Sequence, residues 1–193
     1  MKRKRIGILS VGNVLMGDDG IGPFILKTLE SRYRFPENVV LDDLGTPGLG
    51  ITSFFSDYDA VILIDAAKAN GQPGDLELYR KDQLLKQKIQ PRVSPHDPAL
   101  VEALLFAELS GICPAEVLLV GIVPDSCELG CVMSPAMLTA IEPAIAAIMV
   151  ELHRFHVTPH LIASPEVPDI WWNAKLSFAL PEEVPAYVLG HTR

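Results

Sequence analysis

The chain has 193 residues, 49% of them apolar, enough to bury roughly 70% of the surface that its unfolded form exposes. Its formal charge of -8 leaves no electrostatic footprint for nucleic acid, and the basic start Lys2-Arg3-Lys4-Arg5 is too short to reverse that. The apolar run after those residues is short and lacks an A-x-A cleavage pattern, so neither a signal peptide nor a membrane anchor is expected, and the protein is expected to be cytoplasmic.

The first element is the apolar run Ile6, Ile8, Leu9 and Val11, with the β-branched bias of a strand buried on both faces. A loop rich in glycine follows, with Gly12, Gly17, Gly20 and Gly22 around the adjacent acids Asp18 and Asp19. Ile21, Ile25, Thr28, Leu29 and Arg32 then switch to helical spacing, and Pro23 is tolerated in the first turn. A strand-to-helix junction invites a phosphate, but Asp18 stands where a Walker A loop needs lysine, and no G-x-G-x-x-G can be drawn through these glycines. One of the two acids can cap the helix, which leaves the other to be explained.

Val39-Val40-Leu41 reads as a second strand, ending in the polar turn Asp42-Asp43-Leu44-Gly45-Thr46-Pro47-Gly48. Leu49, Ile51, Phe54 and Phe55 suggest a short helix, and Ala60-Val61-Ile62-Leu63-Ile64 is a buried strand that stops at Asp65. That acid either turns the chain or serves a site. Leu76-Glu77-Leu78-Tyr79 alternates like an edge strand antiparallel to its predecessor. In Ser94-Pro95-His96-Asp97-Pro98, Asp97 is the expected N-cap of a helix running through Leu100, Leu104 and Ala107, so His96 stands just outside a helix entrance.

Glu116 to Val123 supplies another buried strand, and Ser134-Pro135 opens a long helix whose Met137, Ile141, Ile145, Ile148 and Leu152 form one apolar stripe. The three cysteines, Cys113, Cys127 and Cys131, show no C-x-x-C spacing and fit reduced thiols, with C-E-L-G-C a weak metal or redox signal. Alternating strands and helices predict a three-layer α/β/α sandwich over residues 1–157, with a mostly parallel twisted sheet and one antiparallel edge strand. Residues 158–193, with Pro159, Pro165, Pro168, Pro181 and Pro185 beside Trp171, Trp172 and Phe178, read as a tail, either an arm on its own core or a docking segment.

Sites in such sheets lie beyond the carboxyl ends of the strands, where the loops bearing Asp18 and Asp19, Asp43, and Asp65 all begin. His96 can enter from a neighbouring loop. Carboxylates with an imidazole and no thiolate suit nickel, zinc, cobalt or manganese, and a set of three ligands leaves coordination positions open.

G-N-V-L-M-G-D-D-G-I-G-P at Gly12 to Pro23, D-L-G-T at Asp43 to Thr46, L-I-D-A at Leu63 to Ala66, S-P-H at Ser94 to His96 and L-V-G-I-V-P at Leu119 to Pro124 together resemble the hydrogenase maturation endopeptidases. These are the processing proteases of nickel-iron hydrogenase large subunits, and the resemblance spans roughly residues 6–155. It implies a metal-binding trio at Asp19, Asp65 and His96, a further acidic position at Asp43, and one cut that removes a C-terminal extension of the large-subunit precursor after nickel insertion. Leu44 departs from the family, where glycine is common. The implied metal is nickel borne by the substrate, with zinc or cadmium able to substitute; the partner is that precursor, and the state a monomer. No H-E-x-x-H or G-x-S-x-G occurs, so no nucleophile or general base is assigned. The competing readings are a nickel-loading checkpoint that cuts nothing, a peptidase with its own zinc, and nucleotide binding.

Overall fold

The first apolar run forms β1 (Ile6–Ser10), buried at every position, in a computed structural model that describes residues 3–67, 71–86, 100–130, 132–165, 167, 168 and 170. It is followed by α1 (Ile21–Arg32), β2 (Tyr33–Arg34), β3 (Val39–Asp43), α2 (Thr52–Phe55), β4 (Ala60–Ala66) and β5 (Leu76–Arg80). Then come α3 (Lys81–Lys86), α4 (Leu100–Ser110), β6 (Glu116–Ile122), α5 (Pro135–Arg154) and β7 (His160–Leu161). Short 3-10 turns, Gly17–Gly20 and Gly48–Ile51, lead into α1 and α2.

The main sheet has the order β3-β1-β4-β6-β5, with all neighbours parallel except β5, which runs antiparallel to β6. This is the expected α/β sandwich. One pairing differs from expectation: the edge strand lies beside β6, with Leu76 opposite Ile122 and Arg80 opposite Leu118, and not beside its predecessor β4. Both sides of β4 are already taken, by β1 and β6, so the edge on that side of the sheet belongs to β6.

The period of two along each strand sorts side chains between two cores. Ile6, Ile8, Ile62, Ile64, Val120 and Ile122 face α1 and α5, meeting Ile25, Leu29, Met137, Ile141, Ile145 and Ile148. Leu9, Val61, Leu63, Val117 and Leu119 face the other way, onto Ile51, Phe55, Leu84, Leu100 and Leu104. Met137 is therefore core, as its helical spacing implied. Among the described residues α5 is the one helix long and apolar enough to cross a membrane, and the stripe that makes it so is buried against this sheet. Outside the main sheet β7 pairs with β2, and the Ile162 N–H donates to the Arg32 carbonyl at 2.9 Å. That ties residues 160–162 to the end of α1, while Trp171, Trp172 and Phe178 lie outside the described residues.

Candidate functional site

The two adjacent acids of the glycine loop have different fates. Asp18 is 1% exposed, and its carboxylate accepts from the backbone N–H groups of Asp125 (2.8 Å), Ser126 (3.2 Å) and Ser134 (2.6 Å) and from the Ser134 hydroxyl (2.9 Å). A buried carboxylate needs such donors to offset lost hydration. Asp18 thus fastens the loop between β6 and α5 onto the glycine loop, and Ser134 is itself the N-cap of α5. Neither acid caps α1, contrary to the sequence expectation: its N-cap is Gly20, with no side-chain hydrogen bond. The half-buried Asp19 folds back instead, accepting from the Asn13 N–H at 2.7 Å.

Two glycines make this geometry possible. Gly12 has φ 142°, and a Cβ there would stand 2.0 Å from the Asp19 carbonyl oxygen. A Cβ on Gly22 would stand 2.4 Å from the Val11 carbonyl oxygen and 2.6 Å from that of Ile64. Any side chain at either position would push backbone apart, so glycine lets the start of α1 press against the ends of β1 and β4. The Val11 N–H donates to Ile64 O at 2.9 Å, one residue before Asp65. The 3-10 turn that carries Asp19 is thereby seated against the end of β1 and beside β4, which carries Asp65. From β1 the chain crosses to β3 on one side, whereas β4 and all later main-sheet strands lie on the other, which makes the β1/β4 boundary the topological switch point where such folds hold ligands.

Asp65 is 5% exposed and sits opposite Gly121 of β6 in register. Asp42 and Asp43, expected in a loop, are the last residues of β3. Asp43 lies opposite Ser10, accepts from its hydroxyl at 2.8 Å and from the Gly45 N–H at 3.2 Å, and so braces the end of β1. His96 and its expected cap Asp97 lie outside the described residues. Among the described residues no group of three or more His, Cys, Asp or Glu could hold a metal ion. Carboxylates such as those of Asp19 and Asp65 suit a hard or borderline divalent cation.

Among the described cysteines, Cys113 is not a ready nucleophile. Burial, reinforced by a hydrogen bond with Glu108, pushes the Cys113 thiol up to about 11, so at neutral pH it is not a thiolate. Cys127 is half-buried on the loop between β6 and α5, and Cys131 lies outside the described residues. Sequence reasoning missed the structural partners Ser10 and Ser134. A Ser before Pro at a helix start signalled a cap, but nothing local signalled that Asp18 would reach it.

Comparison with known proteins gives a consistent set of relatives. A family model described as hydrogenase maturation protease matches residues 23–151. The hydrogenase 2 maturation protease of Escherichia coli (strain K12) is 33% identical over 152 residues, covering 78% of this chain and 92% of that protein. The hydrogenase expression/formation protein HoxM of Azotobacter vinelandii is 34% identical over 146 residues, covering 75% of this chain and 70% of that protein. Among solved structures, the hydrogenase maturating endopeptidase HybD from Escherichia coli superposes with TM-score 0.73 at 30% identity, over 81% of this chain and 97% of that one.

Proposed function

The chain belongs to the hydrogenase maturation protease family, and from that premise we propose that it removes the C-terminal extension of a nickel-iron hydrogenase large-subunit precursor once nickel has been inserted. The nickel is part of the substrate. Asp19, Asp65 and His96 complete its coordination, so that a loaded precursor binds and an unloaded one does not, and the bound metal fixes the peptide bond for attack by water. Asp43 supports the site from the side by holding Ser10 at the end of β1. In this reading the enzyme acts as a cytoplasmic monomer.

The observation that supports this reading most is that the turn carrying Asp19 packs at the β1/β4 switch point, beside the strand that carries Asp65, through the close approaches at Gly12 and Gly22. The donor set contains no thiolate and leaves positions open, which suits an exchange with a metal carried by another protein and not a closed structural site. The test is to mix the purified protein with nickel-loaded and nickel-free precursor and to weigh the products by mass spectrometry. Loss of one C-terminal peptide from loaded precursor alone is the expected result. Binding without mass loss would instead make the protein a checkpoint, and cleavage of both forms would make it a peptidase indifferent to nickel.

A further inference from the structure

Three loops at the carboxyl end of the sheet are laced into one rim. The Gly12 N–H donates to Gly45 O at 2.8 Å, the Gly17 N–H to Gly130 O at 2.5 Å, the Gly130 N–H to Leu15 O at 2.8 Å, and the Asp18 N–H to Ser126 O at 3.0 Å. Met16 and Gly130 form a parallel bridge. A Cβ on Gly17 would meet the Ser126, Glu128 and Val132 carbonyl oxygens at 3.0, 3.4 and 3.7 Å, so the loop between β6 and α5 wraps this glycine closely. Large apolar side chains nonetheless stand out from the rim: Leu15 is 50% exposed, Leu129 85% and Val132 65%. Single exposed leucines are ordinary, but a group of them held on loops this firmly pinned marks a contact surface.

The charge of the same loops indicates the occupant. Besides the buried Asp18, residues 11–20, 42–51 and 123–134 contain Asp19, Asp42, Asp43, Asp125 and Glu128 but no Lys, Arg or His. A surface that is apolar and acidic complements a segment that is apolar and basic. Leu15 stands four residues before Asp19 on one loop, so a chain brought to Asp19 for cutting passes this rim. The hydrogen bonds that already join these loops lower the loop entropy that binding there costs.

Resting on the proposed cleavage, we propose that Leu15, Leu129 and Val132 form the wall that grips the hydrogenase precursor beside its cut, taking an extended apolar stretch with a basic side chain. Asp18 fastens the loop of Leu129 and Val132 to the glycine loop.

The test compares wild-type protein with the variant L129S/V132S and with L109S, an equally exposed leucine near the end of α4 toward the opposite end of the sheet. Cleavage of nickel-loaded precursor is followed at several precursor concentrations and two salt concentrations. The expected result is a KM raised roughly tenfold by L129S/V132S, the size of one moderate hot spot, with kcat within about twofold and L109S like wild type. The wild-type KM rises with salt, and D125N/E128Q flattens that rise. An unchanged KM in L129S/V132S, or an equal loss in L109S, overturns the wall while wild-type cleavage stands. No cleavage by wild-type protein overturns the proposed function itself, and the wall with it.

Discussion

The two ends of the sheet treat carboxylates in opposite ways. At the end where β6 begins, acids meet cations: Lys4 reaches Glu116 at 2.6 Å, Arg80 grips Glu151 through two bonds of 2.5 and 2.8 Å, and Arg154 joins both acids. Lys4 and Arg154 also stand over the Phe155 ring. At the end where β1, β3 and β4 finish, Asp18 and Asp43 are instead held by backbone N–H groups and serine hydroxyls. A guanidinium cancels the charge it binds, whereas an amide dipole fixes the shape and leaves most of the charge in place. In the proposed reading, one end holds the fold and the other meets a cation that arrives with a partner.

The comparison breaks most sharply at the acids of the site. D19N and D65N keep size while removing charge, and each is expected to lower cleavage of loaded precursor by about a hundredfold or more, with a thermal midpoint within a few degrees of wild type. A loss of activity that tracks loss of fold in a melting curve would erase the distinction between the ends. E151Q is the mirror experiment: Glu151 is buried, so exchanging it for an amide is expected to cost about 2 kcal/mol in urea unfolding. The cost stays moderate because Arg80 and Arg154 are half-exposed and can return to water. Cleavage at 25 °C by the folded fraction should change less than twofold.

Acid should separate the two ends. Burial alone would raise the Glu151 and Glu116 carboxyls, but hydrogen bonds from Arg80 and Arg154 to Glu151, and from Lys4 and Arg154 to Glu116, outweigh it and hold both below the usual range. A lowered folded pKa means that their stability is present above the unfolded value of about 4.3 and is lost as pH falls through the folded value. On the proposed function, protons compete with the substrate's metal for its protein ligands, so coordination fails earlier in an acid titration than the fold does. Cleavage is thus expected to fade at a higher pH than circular dichroism does; parallel loss of both signals would contradict this. The smallest expected effect is K86A, which breaks an exposed pair with Asp82 one helical turn away and should shift unfolding by less than about 0.5 kcal/mol.

The elements that place the site were legible because each is a local pattern. β1, β4 and β6 are apolar runs closed by Gly12, Asp65 and Pro124 respectively, and α5 follows from a Ser-Pro start and a stripe at helical spacing. What escaped was set by distant partners. The neighbour of β5 depends on which sheet edge remains open, and α3 is a helix of 6 residues with only Leu84 buried, too short to impose a period. β2 and β7 have 2 residues each and are defined by each other. Asp18 and Asp19 look equivalent in sequence, and they part only because Ser134, 116 positions from Asp18, is folded against the first of them.

The most direct measurement is nickel-edge X-ray absorption of loaded precursor, alone and frozen immediately after mixing with this protein. Added oxygen and nitrogen ligands on mixing, diminished when D19N replaces the wild-type protein, are the predicted result of the proposal that carboxylates at this end of the sheet complete the coordination of a metal that the substrate brings. A spectrum unchanged by wild-type protein, in a mixture that still goes on to release the C-terminal peptide, would contradict the account by showing that the cut proceeds without these acids touching the metal.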